Sequence, residues 1–150
     1  MSSPSDGFEC RWQPSRRLLV LYAGLQLVAL STLALVELPS WALSLALGFC
    51  LAHAAWTLPR HILLSSPQAF SALRCDAEGW QLWSAASGWQ AVQLRPDSLA
   101  LPLAVVLRFR LGGERRVRGL CIPRDALARD VHRRLRVRLK FSRRRWAAPE

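Results

Sequence analysis

The chain has 150 residues, enough for one domain or for a membrane segment with one small domain attached. Hydrophobic residues make up 51% and charged residues 21%, yet the two are segregated: one formal charge, Glu37, falls between Leu18 and Thr57, while arginine crowds the chain from Arg108 onward. An ordinary soluble domain mixes its charges, so this distribution argues against one. The net charge of +11 implies an anionic partner, and lipid headgroups supply one at roughly 1 kcal/mol per basic residue near a membrane surface.

Residues 1–17 form an N-terminal segment. Leu18 to Val36 follows as 19 residues without a charge. At the helical rise it spans about 28 Å, close to the thickness of a bilayer core. A second charge-free run, Leu38 to Leu58, has 21 residues. The join at Glu37, Pro39 and Ser40 is tight, so the two spans run antiparallel as a hairpin. A signal peptide fits poorly: the first run is long, no small-x-small cleavage site follows, and a second span comes at once. Arg11, Arg16 and Arg17 precede the first span and Arg60 and His61 follow the second. The positive-inside rule therefore predicts both termini in the cytosol. Trp12, Trp41 and Trp56 fall near the expected interfaces, where indole rings favour the headgroup level.

Few polar residues lie within the spans. Gln26 and His53 come within about one turn of each other in depth, and a hydrogen bond between them would satisfy both. Ser44, Gly48 and Ala52 form a stripe of small residues on one face of the second span. Such a stripe serves either the hairpin or a homo-oligomer.

Residues 59–69, with Ser65, Ser66 and Pro67, read as a linker. Residues 70–150 then make a basic cytosolic domain. Phe70 to Cys75, Trp80 to Trp83 and Trp89 to Leu94 read as short strands separated by turns. Leu103 to Arg110, the Gly112-Gly113 turn and Arg115 to Ile122 form a β-hairpin. In its first arm Val105, Leu107 and Phe109 share a buried face, with Arg108 and Arg110 on the other. The last element carries two patterns. Leu127, Val131, Leu135 and Leu139 repeat every four residues, whereas Leu135 to Phe141 also alternates with basic residues as a strand would. A helix from about Asp125 to about Phe141 is favoured. The fold class is thus α+β: a two-helix transmembrane hairpin, then a small antiparallel sheet with one C-terminal helix.

No catalytic grouping is evident, and an enzyme is disfavoured. His53, His61 and His132 are scattered, and no zinc-protease, phosphate-loop, dinucleotide or nucleophile-elbow motif occurs. Cys10, Cys50, Cys75 and Cys121 fit neither a disulfide framework nor a zinc site and read as reduced thiols. No metal or cofactor is expected. Asp125 and Asp130 read as helix-start charges. The candidate contacts are basic and aromatic: Arg108, Arg110, Arg115, Arg116 and Arg118 in the hairpin, Arg133 and Arg136 in a tail that continues to Arg143, Arg144 and Arg145, and Trp80, Trp83 and Trp89. Membrane lipid is the first anionic partner for these arginines, an acidic protein the second and nucleic acid a distant third. The tryptophans suit a core or an interface better than base stacking.

These pieces in order resemble the YgfX (CptA) family of small bacterial inner-membrane proteins. The resemblance is carried by Pro14-Ser15-Arg16-Arg17 before the first span, the two-span hairpin, and Trp80-Gln81-Leu82-Trp83 through Trp89. It continues in Val106-Leu107-Arg108-Phe109-Arg110 with the Gly-Gly turn, and in Arg124-Asp125 leading to Arg133-Arg134-Leu135-Arg136-Val137-Arg138-Leu139. It covers nearly the whole chain and implies the toxin half of a toxin–antitoxin pair. Such a protein is expected to bind the tubulin-like and actin-like cytoskeletal proteins of bacteria, and so to disturb cell division and shape. The resemblance also implies a small soluble partner of the SdhE type, linked to flavin attachment on succinate dehydrogenase. A membrane accessory or tether for that factor is the alternative function.

Overall fold

The computed structural model describes residues 7–146, with side chains described as far as Phe141. The side chains of Arg143, Arg144 and Arg145 lie outside the described residues. Chain order is β1 (Phe8–Arg11), α1 (Arg16–Leu35), α2 (Ser40–Thr57), β2 (Phe70–Asp76), β3 (Gly79–Ser84), β4 (Gly88–Leu94), β5 (Leu99–Ala100), β6 (Ala104–Leu111), β7 (Val117–Pro123) and α3 (Arg129–Trp146). The architecture is α+β: two apolar helices, then an antiparallel sheet and a C-terminal helix.

Both helices of the hairpin have the length and composition to cross a membrane, and neither carries a buried residue. α1 starts at Arg16, two residues before the apolar run, because the Ser15 hydroxyl accepts from the Leu18 amide at 3.1 Å and caps it. α2 begins after Pro39 and ends in a widened turn, Leu58–Ile62, that contains Pro59. The two helices are antiparallel, with Tyr22 opposite His53 and Gln26 opposite Cys50. The expected Gln26–His53 pair does not form. Gln26 Nε2 instead donates to the Cys50 carbonyl at 3.2 Å. His53 Nδ1 lies 2.9 Å from the Tyr22 hydroxyl, and its Nε2 lies 3.4 Å from Thr57 Oγ1. A difference of one turn in depth decides which groups meet. Ser44, Gly48 and Ala52 are all exposed, and a Cβ on Gly48 would meet nothing within 4 Å. That stripe faces away from α1 and does not hold the hairpin together.

The sheet has two strands that the alternation pattern does not announce, β1 and the two-residue β5. Residues 8–11, assigned from composition to the N-terminal segment, form its first strand, with Phe8 opposite Cys75 and Arg11 opposite Ala72. The strand order is β1-β2-β3-β4-β6, with β5 continuing the β4 side of β6 and β7 on its other side. The chain therefore leaves the sheet after β1, makes two apolar helices, and returns as the neighbouring strand. Trp12 belongs to this sheet rather than to a membrane interface: it is 5% exposed and its indole N–H donates to the Phe70 carbonyl at 3.0 Å. Trp41 and Trp56 are exposed on the hairpin.

One face of the sheet packs on α3. Cys10, Leu73, Leu82, Val105, Leu107, Phe109 and Ile122 meet Leu135 and Leu139 there, and Phe70 packs edge-on against Phe109. The helical pattern prevails in 129–146, since Leu135 is fully buried while Val137 is 49% exposed. α3 starts at Arg129 rather than Asp125, because Arg124–Ala126 forms a separate tight turn. Asp125 is a helix-start charge for α1, not for α3. It accepts from the Ser15 hydroxyl at 2.7 and 2.8 Å and from the Arg17 amide at 3.2 Å. A carboxylate there suits the positive end of α1. Burial alone would raise the Asp125 carboxyl, but the Ser15 and Arg17 hydrogen bonds and the Arg17 charge hold it below its ordinary value. His132 is buried on the same side of α3 as Leu135, with no hydrogen-bond partner for Nε2. Burial first, then the charges of Arg136 and Arg124, push its pKa down.

Two expectations follow. Leu135→Ala should cost about 2–5 kcal/mol and Val137→Ala within about 0.5 kcal/mol, read by thermal unfolding in detergent. Equal effects would contradict the helical burial pattern. Ser15→Ala should cost about 1 kcal/mol as a lost cap. The contribution of Asp125 is fully present above the unfolded carboxyl value of 3.8 and disappears as pH falls through the lower folded value. Wild type and Asp125→Asn should therefore differ at neutral pH and converge in acid, as an acid-unfolding series would show.

Candidate interaction site

Strand alternation divides the aromatic residues between two faces. Trp80 points into the core and is 9% exposed, so it is removed from the contact surface. Trp83 and Trp89 point to the opposite, outer face and stand directly across from each other on β3 and β4. Each is half-buried beneath an arginine from another strand. The Arg11 guanidinium lies 5.7 Å from the Trp83 ring and the Arg74 guanidinium 4.5 Å from the Trp89 ring. Arg74 is fixed further by a 2.6 Å hydrogen bond to Gln81 and an ion pair with Asp76 at 3.4 Å. A guanidinium over an indole face contributes about 0.5–1 kcal/mol at an exposed site, so these contacts orient the side chains more than they stabilise the fold.

Arg11 and Arg74 do not stand out among the arginines of the sequence. For Arg74 the available signal is its alternation with the buried Leu73. Arg11 is legible only once β1 is recognised.

The arginines that do stand out divide among several places. Arg108 and Arg110 continue the outer face on β6, and Arg108 forms an ion pair with Asp97. Arg115 and Arg116 are exposed before β7. Arg118 lies opposite Phe109 at the end of the core, 3.0 Å from both carboxylate oxygens of Glu114. Arg133 and Arg136 are on α3, behind the inner face, and line a groove with Ser98, Pro102 and Lys140. The contacts thus do not form one patch. Exposed ion pairs such as these contribute at most about 1 kcal/mol each. No ion pair among the described residues engages Arg110, Arg115, Arg116, Arg133 or Arg136. Their charge is therefore available to a partner.

A second surface combines charge and apolar area. β1 and α3 border a groove lined by Phe8, Arg133, Arg134, Val137, Arg138 and Phe141. Arg138 lies 5.4 Å from the Phe8 ring, while Val137 and Phe141 stay exposed.

Two of the thiols, Cys10 and Cys121, are unsuited to nucleophilic chemistry. Burial pushes the Cys10 thiol up to about 12, against a lowering hydrogen bond with the Leu73 backbone, and burial raises Cys121 as well. Among the described residues, His, Cys, Asp and Glu nowhere gather in threes that would hold a metal.

The arrangement is two apolar helices joined at their foot to a sheet whose outer face presents indoles and guanidinium groups. Comparison with curated proteins and with solved structures gives no match. Residues 6–143 do match a family, Cpta_toxin, which is described as the membrane-bound toxin component of a toxin–antitoxin system. With nearly its whole length covered, and with the two candidate spans and basic sheet domain in place, the chain belongs to this CptA family of membrane-bound toxins.

Proposed function

We propose that the chain is a toxin of the bacterial inner membrane whose sheet domain binds the tubulin-like and actin-like cytoskeletal proteins and inhibits their assembly. The observation that carries this reading is the outer sheet face, where Trp83 and Trp89 lie beneath Arg11 and Arg74 and the charge continues into Arg108 and Arg110. Buried indoles and arginines are the residue types that dominate protein interfaces. An acidic polymer surface complements them in charge. The activity needs binding, not catalysis or a cofactor.

In this proposal both helices cross the membrane, and the termini lie in the cytosol with the sheet domain. Support comes from the arginines that flank the hairpin at its foot and from the single acid, Glu37, in the link. β1 and β2 are neighbours, so both ends of the hairpin lie on one side whichever way it inserts.

A second reading makes the chain a tether for an SdhE-type succinate dehydrogenase flavinylation factor. The groove between β1 and α3 favours it, because exposed Val137 and Phe141 beside Arg133 and Arg134 suit a small acidic soluble partner. The same groove would receive an antitoxin of that type.

Reporters fused in the link at Leu38 and at the C terminus should report periplasm and cytosol respectively; the reverse would refute the orientation. Expression of the full chain should give filamentous or misshapen cells. Trp83→Ala with Trp89→Ala, and Arg108→Glu with Arg110→Glu, should relieve the effect at equal membrane levels. Normal morphology with the unaltered chain would defeat the cytoskeletal reading. Lowered succinate dehydrogenase activity on deletion, with normal cell shape, would establish the tether instead.

A further inference from the structure

The foot of the hairpin and β7 border a cleft at the β7 end of the outer sheet face, where Val106, Gly119 and Cys121 share the side of Arg108 and Arg110, away from Trp83 and Trp89. β7 is hydrogen-bonded to β6 along one side, and its other edge has no partner strand among the described residues. One half of the cleft, about 480 Å³, is apolar: Leu18, Leu21, Tyr22 and Leu25 of α1 face Val106 and Cys121. The other half, about 530 Å³, is bordered by Trp56, Arg60, Arg116 and Arg118. His61, Gly119 and Leu120 belong to both halves, so the two are continuous.

Three observations limit what occupies it. The apolar half is built from the same face of α1 that stands exposed on a candidate span, with Leu21 at 65% and Leu25 at 71% exposure. With α1 crossing the bilayer as proposed above, on which this inference rests, hydrocarbon reaches its mouth. In the other half, no ion pair among the described residues engages Arg60 or Arg116, whereas Arg118 is occupied by Glu114. The Arg60 guanidinium is held 3.6 Å from the Trp56 ring, which fixes a cation beside an indole, the ring type that favours the headgroup level of a bilayer.

The third observation is Gly119. It sits in the interior of β7, its φ is not positive, and a Cβ there would meet nothing within 4 Å. Neither backbone conformation nor packing requires glycine. What lies before its Cα is the join between the two halves. Glycine inside a strand weakens it and often marks the close approach of a ligand.

A free anion would leave the apolar half unused, and a neutral hydrocarbon would leave the arginines unused. We propose that this cleft holds one anionic phospholipid, its phosphate between Arg60 and Arg116 and an acyl chain along Leu18, Leu21 and Leu25. The site adjoins the outer face at Arg108, opposite Gly119, but lipid retention is read separately from protein binding, so failure of one does not entail failure of the other. It would fix the tilt of the sheet domain against the bilayer.

The test is native mass spectrometry of the full chain in detergent, titrated with phosphatidylglycerol and with phosphatidylcholine of the same acyl composition. One phosphatidylglycerol should be retained at about thirtyfold lower concentration, the effect expected of two arginines at a membrane surface. Arg60→Ala with Arg116→Ala should abolish that preference. Gly119→Leu should weaken both lipids by about tenfold without lowering the melting temperature, because the added side chain fills the join. Arg116→Glu, at an exposed turn, gives a second reading if Gly119→Leu fails to fold. Equal retention of the two lipids, or a preference that survives Arg116→Glu, would overturn the proposal. So would competition by sn-glycerol 3-phosphate at the same concentration as the lipid, which would reduce the site to one for a free anion.

Discussion

Two hydrogen-bonded neighbours, β1 and β2, bracket both apolar helices, and most of the structure follows from that constraint. Arg11 and Ala72 are paired, so the chain leaves and re-enters the sheet at nearly the same point. Both feet of the hairpin are then tied to one edge of one sheet. Ser15 and Asp125 add a second attachment by joining the start of α1 to the turn before α3. The Gln13 amide donates to the Ala126 carbonyl at 3.0 Å, reinforcing the same join. A domain appended after a hairpin through a single linker would have one attachment; this one has attachments before and after it.

The sheet then divides its labour by face. Its inner side is closed by Leu135 and Leu139 of α3, and that apolar burial is the main source of stability in the domain. Its outer side is left to Trp83, Trp89 and the arginines. Few acids are present to neutralise them, and four of those described near the sheet are engaged locally: Glu9 with Arg11, Asp76 with Arg74, Asp97 with Arg95 and Arg108, and Glu114 with Arg118. The excess positive charge therefore falls on surfaces rather than within pairs. For a membrane-bound toxin this suits an acidic partner on one side and anionic headgroups on the other.

Much of this is legible in the sequence, for identifiable reasons. The hairpin stands out because two adjacent uncharged runs of such length are rare in a soluble core. The β6–β7 pair stands out because Gly113 supplies a positive φ of 84° at the turn between clearly β-forming arms. β1 does not: four residues with one buried Cys10 give too short an alternation to read. Without β1, Trp12 is misplaced too, since tryptophan favours both interfaces and cores and only the strand distinguishes them. Asp125 is recognisable as a helix-start charge, but sequence proximity assigns it to the following helix, when the one it serves begins 109 positions earlier, at Arg16. The arginines read as one basic population. Their division between the outer face, the β7 edge and α3 depends on strand register, which composition does not carry.

The bracketed hairpin also imposes an order on biosynthesis. The ribosome makes β1 before either apolar helix, but the strand it pairs with, β2, emerges only after both. Through that interval Phe8–Arg11 has no sheet to join, and Cys10 and Trp12 have no core to enter. The sheet reaches its full width only once the helices have been synthesised and passed on. Synthesis of both apolar helices thus precedes completion of the sheet and its outer face, so a chain halted before the helices are made cannot display the finished surface.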